Sequence, residues 1–141
     1  MKKICFVCSA NECRSPMAEK IFQSMLKKES VKNIKVSSAG IGAIEGTKMS
    51  NMAKKALKNL GYKTGNKKSK QLKEIASNVV YVAMSKQEKD YLNKKNVFTF
   101  GELIGGKDVV DPYGENQETY DKTAKQIEDY CKILLEKVKK I

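Results

Sequence analysis

Nine residues, Cys8-Ser9-Ala10-Asn11-Glu12-Cys13-Arg14-Ser15-Pro16, leave this chain few ways to fold. Residues 2–7 are short, apolar, β-branched and aromatic, which predicts a strand. From Met17 onward, Met17, Ile21 and Met25, with Ala18, Phe22 and Leu26, recur at helical spacing. The segment is therefore a strand–loop–helix turn. Ser15 stands where an N-cap is expected and Pro16 at the first helical position. A loop that ends on a helix N-terminus gathers backbone N–H groups and the positive end of the helix dipole at one point, which makes an anion site.

Two side chains give that anion site chemistry. Cys8 closes the strand and opens the loop, where N–H groups, a helix N-terminus and a guanidinium favour the thiolate. Arg14 lies six residues on and is able to grip two oxygens of a phosphate at once. Of the 28 basic residues Arg14 is the sole arginine, every other being lysine. The chain uses lysine wherever charge alone suffices, and the exception falls where planar geometry matters. The sequence has no histidine, so no Cys–His or Ser–His pair activates a nucleophile here, and Cys8-x4-Cys13 is not a zinc spacing. No metal and no cofactor is expected. Of the remaining cysteines, Cys5 reads as strand core and Cys131 as part of the apolar stripe of the last helix.

The run from Val7 to Glu19, together with Asp111-Pro112-Tyr113-Gly114 near the other end, resembles the low-molecular-weight protein tyrosine phosphatase family. That family includes bacterial protein arginine phosphatases and a thiol-dependent arsenate reductase branch. The resemblance implies a cysteine-dependent phosphomonoesterase acting on phosphorylated proteins or peptides through a cysteinyl-phosphate, with inorganic phosphate as product. Cys8 is the implied nucleophile, Arg14 the phosphate clamp and Asp111 the general acid. The phosphate cradle is implied to run through Ser9, Ala10, Asn11, Glu12, Cys13 and Ser15. Ser15 is implied to hydrogen-bond the thiolate. Asn11 is implied to hold an unusual backbone angle with Ser38 as its brace, and Ile44 and Tyr113 are implied to be walls of the pocket. Cys13 is either the partner of Cys8 in a reversible, redox-sensitive disulfide or a small apolar filler of the loop.

Four positions depart from the family pattern. Ala10 stands where glycine is usual, and Lys67 where a histidine is frequent. Ile44 stands where an aromatic is frequent, which counts against a strong phosphotyrosine preference. Glu12 stands where tyrosine phosphatases carry an aliphatic residue and arginine phosphatases a threonine. A carboxylate there repels a phosphate dianion, so Glu12 either turns to solvent or a lysine, or meets a cationic part of the substrate such as a phosphoarginine guanidinium. A protein tyrosine phosphatase is the first reading and a protein arginine phosphatase the alternative. The arsenate reductase reading needs further cysteines near residues 80–90, and there are none. A non-catalytic phosphate-binding or redox-sensing module would have no use for Asp111.

The remaining pattern alternates strands and helices. Strands are expected at 34–38, 78–84 and 97–100, and helices at 16–28, 50–60, 69–76, 85–93 and 118–140. This is an α/β pattern: a single domain over residues 1–141, built as a three-layer sandwich with a four-stranded parallel sheet and helices on both faces. The resemblance implies the strand order 2-1-3-4, with ligand at the carboxyl end of the first strand. The net charge of +12 comes from scattered lysines without interleaved aromatics, which argues against a nucleic-acid partner. No apolar run approaches the ~20 residues of a membrane span, and residues 4–7 are too short for a signal segment. A cytoplasmic monomer with no membrane association is expected.

Overall fold

A computed structural model describes residues 2–140. Strands β1 (Lys2–Cys8), β2 (Ile34–Gly40), β3 (Val79–Ala83) and β4 (Val97–Thr99) form one parallel sheet in the order β2-β1-β3-β4. The helices are α1 (Arg14–Lys28), α2 (Asn51–Asn59), α3 (Lys86–Leu92), α4 (Phe100–Ile104) and α5 (Gln117–Lys139). The expected fold class and strand order are the ones observed.

β1 is the middle of the fold. It pairs along its whole length with β2, from Lys2 opposite Ile34 to Cys8 opposite Gly40, and with β3 from Lys3–Val79 to Val7–Ala83. A strand enclosed on both edges and both faces has to be apolar throughout, and residues 4–8 are all buried. Alternate side chains serve opposite faces. Ile4, Phe6 and Cys8 pack with Met17, Ile21 and Phe22 of α1, with Leu57 of α2 and with Ile127, Cys131 and Leu134 of α5. Phe6 meets the rings of Phe22 and Phe100 at centroid distances of 5.8 and 5.4 Å. Full burial of a side chain of this size contributes about 1.5–3 kcal/mol. Cys5 and Val7 face the thinner layer, with Tyr81, Ala83 and Val97, against Leu72, Ile75 and Leu92.

Three local expectations are corrected. Residues 69–76 are not helical. Gln71 bridges to Gly40, Gly40 N–H donates to the Lys70 carbonyl and Leu72 N–H to the Gly40 carbonyl, so this segment runs as an extension beside β2. The strand expected at 97–100 stops at Thr99, because Thr99 and Glu102 form a reciprocal capping box and start α4. β2 continues two residues past 38 and carries Gly40 against the loop after β1. Among the described residues no helix is long and apolar enough to cross a membrane.

Candidate active site

The loop from Cys8 to Cys13 joins the end of β1 to α1. Asn11 sits at φ +58°, in the left-handed region that asparagine enters more readily than most residues. Ala10 is not among the positive-φ residues, so alanine fits where the resemblance led one to expect glycine. Asn11 is buried, and neighbours hold it on every side. Its Nδ2 donates to Ser15 Oγ (2.8 Å) and Ser38 Oγ (3.0 Å). Its Oδ1 accepts from Lys70 N–H (3.0 Å), and its carbonyl accepts from Ser69 Oγ (3.0 Å). These bonds fix the turn that points Asn11 N–H at Cys8 Sγ, 3.3 Å away.

Helix α1 begins two residues earlier than expected. Its N-cap is Cys13, which makes no side-chain capping bond, and Ser15 lies inside the first turn. Two consequences follow. First-turn N–H groups remain for an anion, and Ser15 Oγ is free to stand 2.8 Å from Cys8 Sγ. Ser15 Oγ already accepts from Asn11, and its other oxygen neighbour, the Ala39 carbonyl, is 3.5 Å away. The Ser15 hydroxyl proton is therefore best placed to point at the Cys8 sulfur, as a donor to negative charge there. Behind Asn11 the chain of contacts continues inward. Ser38 Oγ donates to Glu19 Oε1, and Lys67 Nζ lies 3.6 Å from the same carboxylate and donates to the Ser38 carbonyl (3.3 Å). Lys67 thus supplies the cation of this buried network.

Arg14 is buried and reaches three acceptors from the far side of the loop. Nη1 lies 3.5 Å from the Val109 carbonyl and 3.7 Å from Glu88 Oε1, and Nη2 lies 3.6 Å from Asp111 Oδ2. Val109 N–H donates to the Met84 carbonyl at the end of β3 (2.9 Å), which ties the 109–113 segment to the sheet. Asp111 is brought round in this way to face the loop after β1. Its Oδ1 accepts from Tyr113 N–H (3.1 Å), and its side chain is 55% exposed.

A cleft of about 510 Å³ is lined by Cys8, Ser9, Ala10, Glu12, Cys13 and Arg14 on one side and by Ser50, Asp111, Tyr113 and Tyr120 on the other. Tyr113 stands at the rim, 82% exposed. Glu12 lines the cleft and forms no ion pair among the described residues. Cys13 Sγ contacts Tyr120 Oη at 3.5 Å. Burial pushes the Cys13 thiol up, and burial together with Cys13 pushes the Tyr120 phenol up to about 12. The side chains of Asn11 and Ser15 are buried and do not line the cleft; Asn11 N–H and Ser15 Oγ meet the Cys8 sulfur from within the protein. Ile44, expected as a wall, is 74% exposed and outside the cleft. The backbone bonds of Ile41 to Cys8 and of Gly42 to Ser9 hold the start of that loop, and Ile44 opens the turn that Thr47 N–H closes on its carbonyl. Ser50 and Tyr120 were not singled out from the sequence as cleft residues, because capping of α2 and packing of α5 accounted for them. No cluster of metal-ligating side chains occurs among the described residues.

Comparison with known proteins agrees with this arrangement. A family model described as low molecular weight phosphotyrosine protein phosphatase matches residues 3–141. The protein-arginine-phosphatase of Bacillus subtilis (strain 168) is 32% identical over 146 residues, covering 97% of each chain. The low molecular weight protein-tyrosine-phosphatase PtpB of a Staphylococcus epidermidis strain is 30% identical over 144 residues, covering 97% of this chain and 96% of its own. The crystal structure of a YwlE mutant from Bacillus subtilis superimposes with a TM-score of 0.92 at 32% identity, over 99% of both chains. Matched over nearly its whole length in sequence and in fold, this chain belongs to the low-molecular-weight phosphotyrosine protein phosphatase family.

Proposed function

We propose that this chain hydrolyses phosphorylated proteins through a cysteinyl-phosphate formed on Cys8. One observation carries the reading: Cys8, the sole arginine and Asp111 border one cleft, with the Ser15 hydroxyl 2.8 Å from the Cys8 sulfur. In the first step the Cys8 thiolate attacks phosphorus in line and the bond to the leaving group breaks. Arg14 and the loop N–H groups stabilise the equatorial oxygens. Asp111 gives its proton to the departing oxygen or nitrogen. In the second step Asp111, now a carboxylate, takes a proton from water, the water oxygen bonds to phosphorus, and the Cys8 thiolate leaves. Ser15 stabilises the thiolate at both ends of the cycle.

Phosphotyrosine is the first substrate class. Tyr113 at the rim supports it as a flat apolar surface for an aromatic leaving group. Glu12 supports phosphoarginine as the second, because an unpaired carboxylate lining the cleft suits a cationic leaving group. The relatives named above carry both activities in their names. The deciding measurement is kcat/KM on matched phosphotyrosine and phosphoarginine peptides, with Cys8→Ser as the inactive control. No Cys8-dependent turnover on either peptide would sink the proposal. A phosphoarginine preference that disappears in Glu12→Ile would assign Glu12 to the guanidinium.

A further inference from the structure

Glu88 is fully buried, so it cannot touch a substrate. It projects from the first turn of α3, where Ser85 Oγ donates to its Oε2 at 2.7 Å. Its Oε1 accepts no hydrogen bond, and it is the one buried side-chain oxygen or nitrogen among the described residues in that condition. A carboxylate oxygen left without a donor in the interior costs stability. The nearest cation is Arg14, with Nη1 at 3.7 Å, and both side chains are almost wholly buried. A guanidinium–carboxylate hydrogen bond closes to about 2.7–2.9 Å, so Nη1 stands roughly 1 Å short of one.

The other contacts of Arg14 are long as well, at 3.5 Å to the Val109 carbonyl and 3.6 Å to Asp111. The guanidinium is thus placed among three acceptors and held tightly by none. A guanidinium has two usable edges in one plane. We propose that Glu88 is a positioning residue for Arg14. When a phosphate dianion takes the outer edge of the guanidinium, the plane tilts, the Nη1 hydrogen bond closes on Glu88 Oε1, and the orphaned oxygen gains its donor. Phosphate binding and the satisfaction of Glu88 are then one event, and Glu88 fixes the angle at which Arg14 meets the equatorial oxygens. The catalytic side of this proposal rests on the phosphatase reading above, whereas its binding side does not.

The test uses the sole arginine. The full chain, labelled with 15N at the arginine side chain, gives one set of guanidinium signals, to be followed while inorganic phosphate is titrated. In the wild type, phosphate should shift the Nε signal and separate the Nη hydrogens as rotation slows. Glu88→Gln keeps the size of the side chain and removes its charge. The variant should bind phosphate about tenfold more weakly, keep its Nη hydrogens averaged and lose about 10- to 100-fold in kcat/KM. If Glu88→Gln lowers Tm but leaves phosphate affinity and the Nη signals as in the wild type, the residue is only structural and the proposal falls. If that variant does not fold, Ser85→Ala serves instead, since it frees the carboxylate to swing. It should weaken phosphate binding about threefold and change the Nη pattern, and unaltered values for both overturn the proposal. A wild type that closes on phosphate in this way but turns over no phosphopeptide would remove the phosphatase reading and leave the role of Glu88 standing.

Discussion

Gly40 lies so close to Ser9 that a Cβ on it would stand 2.6 Å from the Ser9 carbonyl oxygen and 2.9 Å from the Asn11 backbone nitrogen. Both atoms belong to the backbone of the anion loop, so neither has a rotamer to yield. Gly40→Ala is expected to destabilise the fold by about 1–3 kcal/mol through overpacking and to displace the loop. Urea denaturation and kcat/KM on an aryl phosphate check this together. Wild-type values of both would show that the loop tolerates the shift.

Lys67 supplies the positive charge for Glu19 behind the loop, and both side chains are largely buried. Lys67→Met leaves the Glu19 carboxylate without its cation, an error that costs about 3–5 kcal/mol for a buried pair. The exposed pair Lys86–Asp90 is the comparison. Lys86→Ala should leave the urea midpoint within measurement error. Equal effects of the two substitutions would mean that the Lys67–Glu19 contact is worth no more than a surface pair.

Burial pushes the thiols of Cys5 and Cys13 up, and that of Cys131 well above its usual value, which keeps all three protonated near neutrality. Brief iodoacetamide treatment of the native protein at pH 7 is expected to add one group, at Cys8, and inorganic phosphate should slow it. In denaturant all four cysteines should react. Intact-mass and peptide mass spectrometry read the outcome, and a first adduct on Cys5, Cys13 or Cys131 would contradict it.

Two phenols set an alkaline limit. Burial, then the Glu128 carboxylate bonded at 2.6 Å, pushes Tyr62 up, and burial with Cys13 takes Tyr120 to about 12. Unfolded phenols lose their protons near pH ~10. Above that pH the unfolded chain binds fewer protons than the native one, so stability falls as pH rises, from about 10 up to the native value near 12 for Tyr120. Tyr62→Phe should flatten part of that slope in urea unfolding measured from pH 9 to 11. An unchanged slope would show that the native Tyr62 phenol titrates as in the unfolded chain.

Local signals made the sheet, α1, α2 and α5 legible, since Ile4 to Val7 and the spacing of Met17, Ile21 and Phe22 need no distant partner to be read. Legibility failed where a distant partner decides. Residues 69–76 are rich in helix formers (Lys, Gln, Leu, Glu, Ala), a local preference that lost to backbone pairing with Gly40 and to the bonds that Ser69 and Lys70 make with Asn11. Helix α4 announced itself by Thr99 and Glu102 at capping-box spacing, a signal overlooked beside Val97 and Phe98. Of the cleft residues, Cys8 and Arg14 were legible from the local strand–loop–helix pattern, whereas Asp111 and Tyr113 were found because the resemblance tied two separated segments together. Glu19 and Glu88 were not, because nothing local distinguishes a carboxylate that will be buried against Lys67 or Arg14 from the exposed ones around it.

Cys8 is the last residue of β1, which is hydrogen-bonded on both edges. Elements enclosed in this way exchange their amide protons only when the whole molecule opens. The reacting sulfur is therefore fixed to the most protected part of the chain, while Asp111 and Tyr113 ride on an exposed segment that is free to open locally. Fraying near the cleft can interrupt proton transfer and let a product out, yet the nucleophile is lost only with cooperative global unfolding. On heating, the leaving-group step should fade before the capacity to bind phosphate does.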